Sequence, residues 1–192
     1  MAFESTAMWP WGHLAFAYVL YSSFFRLRYR LPPTWPGVAL LALGSQAPDL
    51  IDKPLAWTLS LLPSGRSFAH SLVLGAVIVV VAVAIIRRLD LPGEKAFVIG
   101  YYSHLVGDSY RSVLTGKFHE LAFLLWPFAP LNTGDEPTVG IVHYLLHVQL
   151  DGQVVMELGF AGVVVLWWVL DGAPGVTAVW NAMRRRITRP AS

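Results

Sequence analysis

FAHSLVLGAVIVVVAVAII, residues 68–86, contains only His70 and Ser71 as strongly polar side chains. Its length is close to the roughly 20 residues that an α-helix needs to cross the hydrocarbon core of a bilayer. Working outward, the pattern recurs on both sides. Residues 9–25 form an apolar run that is uncharged apart from His13, and a shorter apolar run, 35–50, leads into Pro48-Asp49-Leu50-Ile51-Asp52. On the other side, residues 96–114 are interrupted by Ser103-His104 and Gly107-Asp108-Ser109. Residues 154–170 carry Glu157 as their one charge. The pattern predicts an all-α protein, an integral membrane helical bundle of about five transmembrane segments in a single domain over residues 1–192. Between the last two segments, residues 121–131 read as interfacial. Residues 139–150 read as an amphipathic helix near the membrane surface.

Composition agrees with a bilayer. Of 192 residues 55% are hydrophobic and 14% charged, and the mean hydropathy is +0.54. A soluble domain carries roughly 25% charge, so a water-exposed globule is excluded. A disordered chain is excluded too, since 13% aromatic residues do not stay solvated in an extended chain. The absence of cysteine rules out disulfides, thiolate metal sites and thiol nucleophiles. Any metal must then be held by His, Asp, Glu or backbone oxygen. A net charge of +2 predicts no nucleic-acid partner. The N-terminus has Glu4 and no basic region before its apolar run, so no cleaved signal peptide is expected.

Basic residues set the expected orientation. Arg26, Arg28 and Arg30, then Arg87, Arg88 and Lys95, then Arg184, Arg185, Arg186 and Arg189 fall on one side of a five-span bundle. Lys53, Arg66, Arg111 and Lys117 fall on the other. The positive-inside rule makes this a multi-pass cell-membrane protein with a cytoplasmic C-terminus. Residues 35–50 reach only about 24 Å as a helix, so a re-entrant segment there would change the count.

Ionisable groups at membrane depth are costly and normally face a protein interior or a water-filled cavity. In this orientation His13, Asp49, Asp52, His70, His104 and Asp108 all lie towards the outer ends of their segments. His104 and Asp108, four residues apart, share one helix face. Asp49 and His70 could complete a tetrahedral or open zinc site with them. With His13 there are ligands enough for two ions, and ions about 3.5–4 Å apart are a common arrangement for hydrolysing phosphate esters. Arg66 could offer a guanidinium to a phosphate, and Asp52 could serve as base or as orienter of a ligand. Singly, each has a plainer reading. His13 and His70 could be hydrogen-bonded helix residues, Asp49 a helix end, and Arg66 a snorkelling side chain. Their convergence is what argues for a site. His143, His147 and Asp151, spaced i, i+4, i+8, read better as the solvated face of an interfacial helix than as a second ligand stripe. His119 lies in an outer loop and reads as a surface residue. Trp9 and Trp11, Trp35, Tyr101 and Tyr102, and Trp167 and Trp168 read as interface anchors and packing.

At these residues the chain resembles the membrane-bound, metal-dependent hydrolases related to the LexA-regulated inner-membrane protein YdjM. The pieces that match are Gly12-His13, Pro48-Asp49-Leu50-Ile51-Asp52, Arg66-Ser67-Phe68-Ala69-His70-Ser71, Gly100-Tyr101-Tyr102-Ser103-His104-Leu105-Val106-Gly107-Asp108, and Trp126-Pro127. The third usually reads His-Arg-Gly-x-Thr-His-Ser in that family. Here Gly65, Ser67 and Ala69 replace the first His, the Gly and the Thr. The resemblance therefore implies a metal site without a ligand at position 65. More distantly, the order of His and Asp residues is similar to that of zinc-dependent phospholipase C and nuclease P1. That likeness implies one ion on Asp49, His70, His104 and Asp108, and a second on His13 with Asp108.

The expected function is metal-dependent hydrolysis of a phosphoester in a membrane lipid or lipid-linked substrate at the extracytoplasmic interface, using one or two divalent ions, zinc foremost. A non-enzymatic membrane protein with a structural metal is the alternative. A transporter fits less well, because the sequence has no repeat-related halves and residues 72–86 carry no polar group along their depth.

Overall fold

The computed structural model describes residues 8–131 and 140–187. Glu4, the segment 132–139 and Arg189 lie outside them. Among the described residues the protein has seven α-helices and no strand, as an all-α reading requires.

Helix α1 (Pro10–Tyr29) opens on a proline, whose fixed φ suits a helix start. It closes at Arg30, in the left-handed region at φ 56°. Helix α2 (Trp35–Lys53) runs through Pro48 and on to Lys53, beyond the apolar run that announced it. Its 19 residues reach about 28 Å, and Asp49 and Asp52 lie in its last two turns. A π-helical turn, Pro54–Thr58, follows.

Helix α3 (Leu72–Arg88) starts four residues later than the apolar run at 68–86. The Ser71 hydroxyl caps it by accepting from the amides of Val73 and Leu74, and serine is a favoured residue at that position. His70 therefore lies in the loop ahead of the helix. Helix α4 (Glu94–Leu114) leads to a 3-10 turn, Phe118–Leu125.

Helix α5 (Ile141–Leu146) is shorter than the amphipathic helix expected over 139–150. The next helix starts at once: the Asp151 carboxylate accepts from the Val154 amide at 2.8 Å and caps α6 (Gly152–Leu170). That removes Asp151 from the His143–His147 stripe. Helix α7 (Val176–Ile187) forms where the sequence reading recognised only a basic tail.

Helix α2 packs against α4 at backbone contact. A Cβ added at Gly44 would meet the Phe97 carbonyl oxygen at 2.3 Å, and one at Gly100 the Leu41 carbonyl oxygen at 2.4 Å. Small residues permit such close approach between helices, and here they bring Asp49 up to His104. Helix α1 packs on α2, α4 and α6, and α3 packs on α4. Asp171, just past α6, ties that helix to α1 by accepting from Tyr18 Oη at 2.7 Å, Ser22 Oγ at 2.6 Å and Arg26 Nε at 2.9 Å.

Val77, Val80, Val81 and Ile85 on α3, and Val155, Val163, Leu166 and Val169 on α6, are each more than half exposed. Rows of exposed aliphatic side chains are costly in water and suit contact with lipid. Among the described residues α6 is the helix long and apolar enough by itself to cross a membrane. At 17 residues α3 is shorter.

Candidate metal centre

One end of the bundle collects the polar side chains. His13 sits in the first turns of α1, Asp49 and Asp52 near the end of α2, and His70 before α3. His104 and Asp108 lie one turn apart on α4. His13, Asp52, His70 and His104 are fully buried, and Asp49 and Asp108 nearly so. Two overlapping groups, His13 with Asp49 and His104, and His70 with His104 and Asp108, could hold a metal ion.

Partner chemistry fixes the histidine tautomers. His104 Nδ1 lies 2.7 Å from the Ser45 carbonyl oxygen, which only accepts, so Nδ1 carries the hydrogen. His70 Nδ1 lies 2.9 Å from Asp52 Oδ2, and a carboxylate likewise only accepts. In the neutral rings both Nε2 atoms then hold bare lone pairs, and they face each other at 3.1 Å. Such a pair repels unless a cation lies between them.

Two carboxylate oxygens join them. Asp49 Oδ1 is 3.5 Å from His70 Nε2 and 3.6 Å from His104 Nε2. Asp108 Oδ2 is 3.4 and 3.7 Å from the same atoms. Zinc bonds of about 2.0–2.2 Å to nitrogen and oxygen make a tetrahedron with edges of about 3.3–3.6 Å. Five of the six distances between these four atoms, 3.1–3.7 Å, are close to those edges, while Asp49 and Asp108 fall in separate close groups that share His104. Asp49 Oδ1 is also buried without a hydrogen-bond donor, an arrangement that costs free energy unless a cation meets it. The donor set fits a divalent ion.

His13 stacks on His104 with ring centroids 3.7 Å apart. Its Nε2 lies 3.2 Å from Asp108 Oδ1, and neither ring nitrogen makes a hydrogen bond. Gly107 makes room for this ring, since a Cβ there would meet His13 Nδ1 at 2.9 Å.

Asp52 faces the loop before α3. Its Oδ2 accepts from the Ser67 amide at 2.9 Å, the His70 amide at 3.2 Å and His70 Nδ1, and its Oδ1 accepts from the Ala69 amide at 2.8 Å. Those four donors leave it turned towards the loop, where it holds His70. Arg66 is one ring removed from the cluster. Its guanidinium lies 5.6 Å over Phe123, whose ring meets His70 edge-on at 6.2 Å.

Sequence reasoning missed three participants. Lys53 is buried and donates to Asp49 Oδ2 at 2.6 Å, turning Oδ1 alone towards the imidazoles. Its i, i+4 spacing from Asp49 was a visible signal. Phe123, within the stretch 121–131 that read as interfacial, is buried and supplies the apolar ring beside His70. Trp57 packs against Gly65, where a Cβ would meet the indole at 2.7 Å, and Lys53 Nζ lies 5.4 Å over its ring. His143, on α5, and His147, just past its end, are exposed and stand outside the buried group.

Comparison with curated proteins and with solved structures gives no significant match. Residues 8–172, which hold every member of the cluster, match the profile of the YdjM inner membrane protein family, and the chain belongs to that family.

Proposed function

We propose that this protein is a multi-pass hydrolase of the cell membrane that uses a divalent ion, zinc foremost, to cleave a phosphoester of a lipid or lipid-linked substrate at the extracytoplasmic interface. The observation that carries the reading is the buried gathering of His70 Nε2, His104 Nε2, Asp49 Oδ1 and Asp108 Oδ2, in which each carboxylate oxygen lies 3.4–3.7 Å from both imidazole nitrogens. These four residues would hold the ion, and His13 with Asp108 would hold a second. A bound divalent ion supplies Lewis-acid polarisation of a phosphoryl oxygen and acidifies water towards neutrality.

The chain's own groups do the rest. Asp52 and the Ser45 carbonyl lock the His70 and His104 tautomers, as partners of metal-bound histidines do. Lys53 offsets one carboxylate charge. Arg66, held beside Phe123, is placed to stabilise negative charge on a phosphate that reaches the cluster. The basic residues at the opposite helix ends, Arg26 and Arg28 on α1 and Arg87 and Arg88 on α3, favour that end as cytoplasmic.

Complete burial of three imidazoles favours the second reading, a structural metal without turnover, since structural sites are closed. Elemental analysis of protein purified in detergent, followed by phospholipids, isoprenoid phosphates and soluble phosphodiesters with and without chelator, separates the two. Chelator-sensitive hydrolysis is expected. Full occupancy with no hydrolysis leaves the structural metal. Undiminished metal in a His104→Ala/Asp108→Ala protein overturns the ligand set.

A further inference from the structure

A cavity of about 380 Å³ lies next to the cluster, lined by Met8, Gly12 and Phe16 of the α1 end, Val106, Gly107 and Tyr110 of α4, and Met156, Glu157 and Phe160 of α6. Cavities of about 300–1,000 Å³ are the usual size for small-ligand sites. This one is almost wholly apolar. Its single carboxylate is already engaged, with Glu157 Oε2 accepting from the Trp9 amide at 2.9 Å and Oε1 from Gln153 Nε2 at 2.8 Å. Walls with almost no polar surface suit a hydrocarbon occupant.

The cavity also has a direction. Gly12 and Glu157 are buried at its floor, whereas Val106, Met156 and Phe160 are 54%, 59% and 38% exposed at its rim. The rim therefore opens sideways, from the bundle towards the surface that α6 presents to lipid. Its floor adjoins the polar cluster, since Gly12 precedes His13 and Gly107 precedes Asp108. Through Gly107 it touches the fully buried His13 ring, whose Nδ1 makes no hydrogen bond.

We infer that this cavity binds one hydrocarbon chain of a membrane lipid, entering sideways between α4 and α6, and so presents the lipid's polar ester to the cluster. This deepens the hydrolase reading and rests on it for the role of the bound lipid. Binding of the chain requires only the cavity.

The probe is a phosphatidic acid with a diazirine on one acyl chain, photolysed with the full-length protein in lipid nanodiscs and mapped by mass spectrometry. Labelling is expected at Phe16, Val106, Met156 and Phe160 at least fivefold above Val77 and Val80 on the outward face of α3. Met156→Trp and, separately, Val106→Trp roof the rim from opposite sides and should each cut that labelling by at least fivefold, with metal content unchanged. Equal labelling of cavity and α3 residues, or labelling indifferent to both roofing variants, overturns the proposal. Selective labelling without any phosphoester hydrolysis supports the cavity while sinking the hydrolase reading. Hydrolysis without selective labelling does the reverse.

Discussion

Replacing Asp52 with asparagine tests whether the loop before α3 exists to aim a histidine. The carboxylate accepts four hydrogen bonds, three from backbone amides and one from His70 Nδ1. Asparagine keeps the shape but turns one oxygen into an N–H donor, so at least one of the four donors loses its acceptor. A hydrogen bond to a charged group contributes about 1.5–3 kcal/mol. The ion-binding effect is separate: loss of the carboxylate behind a metal-bound histidine costs about 10–100-fold in metal affinity, equivalent to about 1.4–2.8 kcal/mol. The change leaves Asp49, His70, His104 and Asp108 in place, so binding should weaken without vanishing.

The assay is competition for zinc against a chelator of known affinity at fixed pH, with thermal unfolding measured in parallel. Ser67→Ala is the control. It removes the Ser67 Oγ bond to the Ser64 carbonyl, 2.8 Å, and so loosens the same loop without touching the Asp52–His70 pair. Asp52→Asn should bind zinc 10–100-fold more weakly, and Ser67→Ala should lower thermal stability with zinc affinity unchanged. If Asp52→Asn lost stability as Ser67→Ala does, yet kept its zinc affinity within twofold, Asp52 would be a loop residue only and the orienting argument would fail.

Arg66→Ala should reduce phosphoester turnover at least tenfold while metal content stays at the wild-type level, because Arg66 lies behind Phe123 and outside the ligand group; parallel loss of metal would make it part of the ion site. A single cysteine at Thr115, exposed after α4, should react with a membrane-impermeant thiol reagent in intact cells, and one at Asp90 in the α3–α4 turn should not; the opposite pattern would put the cluster on the cytoplasmic side. Zinc titration of metal-free protein should load one ion per chain in phosphate-free buffer and a second when inorganic phosphate is added; two tightly held ions without any anion would contradict the charge argument below.

The sequence disclosed the helices well because lipid-facing and buried positions are both apolar, which leaves long uninterrupted runs. It disclosed their ends poorly for the same reason. A hydropathy run cannot distinguish Phe68 and Ala69 in a loop from Leu72 in a helix, since Ser71 decides the boundary by a local cap. It equally missed that Asp151 starts α6, which ended the supposed histidine stripe. The cluster was legible for a different reason: ionisable residues are so costly at depth that each one in an apolar run asks for a partner. His104 and Asp108 announced themselves by spacing. What no spacing could disclose was the contact across chain separation, such as Ser45 holding His104 from α2, which depends on the Gly44 and Gly100 approach. Lys53 escaped notice because it followed the apolar run and passed for a loop charge, when α2 in fact carries it into the interior.

That lysine bears on how many ions the proposed centre takes. Among the four proposed ligands and the side chains hydrogen-bonded to them, Asp49, Asp52 and Asp108 bring three negative charges and Lys53 returns one positive, all in residues less than a tenth exposed. With neutral imidazoles the cluster is left at two negative charges, and uncompensated charge away from water is expensive. One divalent ion neutralises it. A second, on His13 and Asp108, would leave two positive charges in the same poor dielectric, a state that becomes favourable when an anion arrives with it. A phosphoester is such an anion, and a neutral carboxylic ester is not. The charge balance thus ties the second ion to the substrate and favours phosphate chemistry over ester chemistry, on the strength of a buried lysine rather than of any motif.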